Sequence, residues 1–216
     1  MPTEDTIRQQ ICSIGQSLHH QGMIAGTGGN ISSRLSGDVI LITPSGLPKW
    51  SLEPEMIIRI DLEGRILDDA GKPSSETLMH LEVYRRRADI SACVHSHPPY
   101  STAFAVAGIP LAENVLPETV LAVGHAPLTD YAAPGTEAVA ASIAPYLGTS
   151  YAFLLRNHGL LTIGRSLDEA YHRHEMIEHS ARIQHIARQL GQVDVIPEAD
   201  MCRLEGVRSR EYEDDR

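Results

Sequence analysis

Residues 4–22 place Ile7, Ile11, Ile14 and Leu18 at spacings of four, three and four, one apolar helix face that Gly22 ends. After the glycine-rich turn Gly26-Thr27-Gly28-Gly29-Asn30 the period shortens, and the alternation from Ile31 to Leu35 predicts a strand. The buried run at 39–42 is a second strand, closed by Thr43-Pro44-Ser45-Gly46, and residues 56–62 read as a third. From Pro73 the period becomes helical, with Leu78, Leu81 and Tyr84 on one face; Ser74 or Ser75 can serve as N-cap, which would put Glu76 in the first turn.

Residues 90–95 read as a strand stopped by Pro98 and Pro99, and a helix over about 100–107 follows. Further strands are predicted at 115–123, 127–131 and 151–155, with an Ala-rich helix at 136–147. Residues 155–163 read as two short strands joined at His158 and Gly159. The longest helix spans about 166–190, since Ser166 and Glu169 form a capping box and Gly191 closes it. Charged sequence after Pro197 predicts a mobile tail. With no internal repeat or linker, residues 1–195 are read as one α/β domain and 196–216 as an appended tail.

Composition narrows the class. A chain of 216 residues fits one domain, or two small ones, and can bury an ordinary apolar core. Cys12, Cys93 and Cys202 are too few and too scattered for a disulfide framework, which suits a reducing, cytoplasmic setting. The amino terminus MPTEDTIRQQ lacks the apolar core of a secretory signal, and no stretch approaches about 18 uninterrupted apolar residues. With 18 basic against 28 acidic side chains, net charge −10, two Phe and one Trp, the chain lacks the basic, aromatic surface of a nucleic-acid binder. Eleven histidines stand out.

His95-x-His97 at a strand end projects two imidazoles to one side, where they can share an ion; a third ligand would leave an open catalytic position. His158, followed by Gly159, suits a ligand loop or an ordinary tight turn. Glu76 is a candidate site carboxylate or simply a good first-turn glutamate. The turns at Gly28-Gly29-Asn30, Ser45-Gly46 and Ser74-Ser75 offer amide and hydroxyl donors of the kind that bind phosphate, and also look like any loop.

Taken in order, G-T-G-G-N-I-S-S-R, I-T-P-S-G, K-P-S-S-E, V-H-S-H and N-H-G-L make the chain resemble the class II aldolase/adducin-like family over about residues 6–190. The resemblance implies a single three-layer α/β/α domain around a mostly antiparallel sheet. It implies that His95, His97 and His158 bind one divalent metal ion per subunit, zinc above manganese or cobalt, with Glu76 as proton-transfer carboxylate and ligand of the ion when no substrate is present. It places a substrate phosphate among Gly29, Asn30, Ser45, Gly46, Ser74 and Ser75, and it implies a homotetramer.

The function so implied is cleavage of a ketose 1-phosphate, of fuculose, deoxyribulose or methylthioribulose type, to dihydroxyacetone phosphate and an aldehyde. Pentulose-phosphate 4-epimerisation, methylthioribulose-1-phosphate dehydration and 3-oxo-acid phosphate decarboxylation are same-family alternatives. A non-catalytic assembly domain of the adducin kind is a remote one, because such domains lose the ligands that are present here. Where family aldolases carry a tyrosine acid toward the aldehyde, ungapped alignment puts Leu116; Glu118, His125 and Tyr212 are weak substitutes. His19, His20, His80, His172, His174, His179 and His185 are read as solvated or interfacial positions, and Cys93 as a buried small hydrophobe.

Overall fold

A computed structural model describes residues 2–69, 71–112 and 114–208. Helix α1 (Glu4–His20) buries the predicted face, Ile7, Ile11, Ile14 and Leu18, and is capped by Thr3, whose hydroxyl accepts the Thr6 amide. Strands β1 (Asn30–Ser36), β2 (Val39–Ile42) and β3 (Ile58–Ile60) follow, then α2 (Thr77–Arg86), β4 (Ala92–Ser96), α3 (Pro99–Ala107), α4 (Pro117–Ala122) and α5 (Glu137–Ile143). Strands β5 (Ala152–Leu155) and β6 (Gly159–Gly164), and helices α6 (Leu167–Leu190) and α7 (Glu198–Arg208), complete the order.

The strands form one six-stranded sheet in the order β3-β2-β1-β4-β6-β5, and every paired neighbour is antiparallel. Strand alternation sorts side chains to two faces. Ile40, Ile42, Ile58, Ile60, Cys93, Phe153 and Leu161 join α2 and α5 in one core. Ile31, Leu41, Ala92 and Val94 join α1 and the start of α6 in a second, and Leu154 and Leu160 meet α3 and α6 in a third. The result is the expected three-layer α/β/α arrangement.

Four local expectations are corrected. Residues 115–123 form no strand: Pro117 sits at the first helical position with Glu118 behind it, and α4 turns Val120 and the following Val123 into the interior. The strand expected over 56–62 shrinks to Ile58–Ile60 because Pro54–Met56 winds into a short 3-10 turn. Residues 127–131 contribute a lone parallel bridge, Leu128 to Leu154, rather than a strand. Part of the presumed tail is helical: α7 packs beside α4, and the Ile196 amide donates to the Asn114 carbonyl at 2.7 Å. Tyr212 lies outside the described residues.

Antiparallel order brings the working loops to one end of the sheet. β1 begins where β2, β4 and β5 end and where β6 begins, so Asn30 lies opposite His95, and Ser96 opposite Leu160.

Candidate metal centre

His95 is the penultimate residue of β4, His97 follows the strand end, and His158 sits in the tight turn between β5 and β6. The turn holds Asn157 at φ 56, a left-handed conformation that asparagine tolerates better than most residues. Two glycines let the rings converge. A Cβ on Gly159 would stand 2.5 Å from the Ser96 carbonyl oxygen and 2.7 Å from His97 Cδ2. Gly29, at φ +74, presses against the His95 carbonyl, which a Cβ would meet at 2.8 Å. The ring centroids lie 5.1 Å (His95 to His97), 4.7 Å (His95 to His158) and 5.3 Å (His97 to His158) apart. One nitrogen from each ring falls within 4.8 Å of the others.

The donor set fits a cation. His95 Nδ1 donates to the Leu160 carbonyl at 2.9 Å, which leaves a lone pair on Nε2. That lone pair faces Glu76 Oε2 at 3.0 Å, and Glu76 Oε1 lies 3.1 Å from His158 Nε2. Two acceptors face each other at the first of these contacts, an arrangement that needs a positive species between them. His95 Nε2, His97 Nε2, His158 Nδ1 and Glu76 Oε1 are all buried without a hydrogen-bond partner. Three neutral imidazoles are the ligand set of an open tetrahedral site for zinc or a similar first-row ion. His97 is held neutral: burial, then the neighbouring imidazoles, push its pKa down to about 4.

Glu76 does not sit inside the first turn of α2. It occupies the N-cap position with no capping bond of its own, while the Ser74 hydroxyl accepts the Glu76 amide at 3.2 Å and Thr77 returns to the Ser74 carbonyl. Its carboxylate is thereby free for the site. Burial drives its pKa upward, but the facing rings, His95 first and then His158, outweigh burial and hold it well below the usual carboxylate range.

Behind the carboxylate runs a buried chain of neutral groups. Asn30 Nδ2 donates to Glu76 Oε2 at 2.8 Å, and Asn30 Oδ1 lies 2.5 Å from His80 Nε2. His80 Nδ1 lies 2.6 Å from the Ser32 hydroxyl, which meets the Tyr84 hydroxyl at 2.7 Å. A carboxylate only accepts, so every direction follows: Asn30 donates to it, His80 Nε2–H donates to Asn30, and Ser32 donates to His80. Burial above all keeps His80 neutral, with its pKa down to about 3.

The polar turns expected to receive phosphate are drawn together. Pro44 and Pro73 form an antiparallel bridge, the Ser45 amide donates to Lys72 at 2.9 Å, and the Ser74 amide donates to Thr43 at 3.2 Å. Ser45, Gly46, Ser74 and Ser75 therefore share one patch at the sheet end where Gly29 enters β1. Asn30, assigned to the same cradle from the sequence, spends its side chain on Glu76 and His80 instead.

Two histidines read as solvated or interfacial positions, His80 and His174, are fully buried instead. His174 meets Ser96 Oγ at 2.7 Å and Thr162 Oγ1 at 3.0 Å, behind the strands that carry the ligands. His80 had a usable signal, since Glu76, His80 and Tyr84 recur at four-residue spacing on one helix face. His174 carried none. Cys93 is buried among Tyr84 and Ser32, and burial pushes its thiol up to about 12, an inert core position. Leu116 is the half-buried N-cap of α4 and brings no acid, and His125 and Glu118 are exposed. Glu118 lines a cavity of about 580 Å³ with Met23, Tyr100 and Arg182, beside the histidine cluster rather than within it.

Comparison with known proteins agrees with this geometry. Residues 9–185 match the family described as class II aldolase and adducin N-terminal domain. A 5-deoxy-D-ribulose 1-phosphate aldolase from Bacillus thuringiensis is 34% identical over 201 residues, 91% of this chain and 92% of that protein. A 3-oxo-tetronate 4-phosphate decarboxylase from Escherichia coli is 33% identical, covering 83% of this chain and 86% of its own length. The solved structure of an L-fuculose 1-phosphate aldolase superposes with a TM-score of 0.87 at 30% identity, covering 93% of this chain and 95% of that one.

Proposed function

The chain belongs to the class II aldolase and adducin N-terminal domain family, and on that premise we propose that it is a metal-dependent aldolase cleaving a ketose 1-phosphate to dihydroxyacetone phosphate and an aldehyde. The observation that carries this reading is the buried Glu76 carboxylate set against His95 and His158, in a cluster of three imidazoles that each keep a buried nitrogen without a hydrogen-bond partner. His95, His97 and His158 would hold the ion. When bound, it supplies Lewis-acid stabilisation of the negative charge that develops as the carbon–carbon bond breaks.

The protein's own residues do the rest. Glu76, ionised at rest, is the base in the bond-forming direction; in cleavage, once protonated, it returns that proton to the carbon that was bonded to the aldehyde. Asn30 and His80 hold its carboxylate in one orientation, so the proton is delivered from a fixed position. Gly29, Ser45, Gly46, Ser74 and Ser75 receive the phosphate on amides and hydroxyls, which explains how a chain of net charge −10 accepts an anionic substrate. Assembly as a homotetramer belongs to the same reading.

One observation favours a second reaction. Cleavage of a ketose also needs a group that takes the proton from the hydroxyl becoming the aldehyde, and Leu116 offers none. Decarboxylation of a 3-oxo-acid phosphate breaks a bond to carbon dioxide and needs only the proton donor. Zinc-loaded protein assayed on 5-deoxyribulose 1-phosphate, fuculose 1-phosphate and 3-oxo-tetronate 4-phosphate separates the two. Aldehyde release with Glu76→Gln lowering turnover by about 10²-fold or more supports the aldolase. Carbon dioxide from the oxo acid alone transfers the site to the decarboxylase, and no product from any of the three rejects both.

A further inference from the structure

Lys49 lies in a short 3-10 turn and is 2% exposed. Its ammonium donates to the Thr27 carbonyl at 3.0 Å and to the Leu47 carbonyl at 2.7 Å. Those carbonyls belong to two separate turns, one running directly into Gly28 and Gly29, the other following directly on Ser45 and Gly46. The lysine backbone is locked from behind by α1, where its carbonyl occupies the space a Cβ on Gly15 would need. Lys49 is therefore a fixed post between two of the three turns assigned above to the phosphate.

Its charge has no internal match. Among the described residues no carboxylate pairs with Lys49, and burial is the sole influence that draws its pKa down, to about 8. An ammonium taken out of water is costly unless an anion or a full set of acceptors replaces the lost hydration. Two carbonyls satisfy two of its three donors. Among the described acidic residues none answers this buried cation, which stands beside two donor-rich turns.

We propose that Lys49 is the fixed positive charge of the phosphate subsite, a positioning residue that ties the 26–29 turn to the 44–47 turn and draws the dianion into the cradle between them. The inference rests on the phosphate reading above and adds the residue that supplies its charge.

The test measures inorganic phosphate binding to the zinc-loaded protein by calorimetry, apart from turnover. Lys49→Met keeps the stem and removes the charge. The expected result is a loss of affinity of about tenfold or more, the size of one partly screened charge at short range, with a shallower dependence on salt. Bound zinc stays unchanged, and KM for a phosphorylated substrate rises while kcat holds. Lys49→Gln, which keeps amide donors for the two carbonyls, reads the same way if the methionine variant does not fold. Phosphate affinity within about twofold of the parent in either folded variant overturns the assignment. Phosphate bound and lost in Lys49→Met, with no sugar phosphate cleaved by the parent, keeps Lys49 and rejects the aldolase alone.

Discussion

Two groups of histidine, one behind the sheet's two faces and one at its end, differ in how their ring nitrogens are engaged. His80 and His174 have both ring nitrogens engaged, the first by Asn30 and Ser32, the second by Ser96 and Thr162. His95, His97 and His158 each keep a buried nitrogen with no hydrogen-bond partner. Burial alone does not mark a ligand. An imidazole whose two nitrogens are satisfied is a structural spacer, whereas one with an unpartnered buried nitrogen, clustered with others of its kind, is a candidate ligand.

The sharpest way to break the comparison is to remove one member of each group. His95→Ala should take bound metal from about one ion per chain to nearly none and lower turnover by about 10³-fold, the worth of several kcal/mol of charge stabilisation. His174→Ala should leave metal content unchanged by elemental analysis. Metal lost equally from both would erase the distinction.

A middle effect is expected at His80. It touches neither ion nor substrate, so His80→Ala should retain metal and cost about 10- to 100-fold in kcat, as loss of an outer orienting partner does elsewhere. His80→Gln, which can still donate to Asn30, should recover most of it. A pure packing role predicts no such recovery.

The smallest effect is a pH dependence of folding. Burial first, then the nearby His95, lowers the pKa of His80 and His174 to about 3, against about 6.5 in an unfolded chain. Between those values the unfolded state binds more protons. The stability these groups contribute is therefore complete above about pH 6.5 and is lost as pH falls toward 3, at up to about 1.4 kcal/mol per pH unit for each histidine. Urea unfolding of metal-free protein from pH 7 to 4.5 should show that slope, and His174→Gln should flatten it; equal slopes would contradict the assignment.

Local periodicity and caps were readable where one element decides them. The face of α1, the limits of β2 and the Ser166 cap of α6 follow from residue spacing alone. Glu76 and the three ligand histidines could be named because their motifs recur in a known order. What spacing could not supply was pairing. Val115 to Val123 looks extended until Pro117 starts a helix, and nothing in the spacing ties the Asn30 side chain to Glu76 until β1 lies against β4 and α2. His174 escaped for the same reason, since its partners Ser96 and Thr162 come from two paired strands, the first of them 78 residues away in the chain.

Helix α2 begins immediately after Glu76 and carries His80 and Tyr84 on the same face. Glu76, His80 and Tyr84 are thus placed together by one helix, set against Asn30 and Ser32 of β1 in the sheet whose end carries the three histidines. The distance between the carboxylate and the three imidazoles then depends on how α2 beds on the core through Met79, Leu81 and Val83. Truncating such a contact, far from any reacting atom, would retune proton delivery while every chemical group stayed in place.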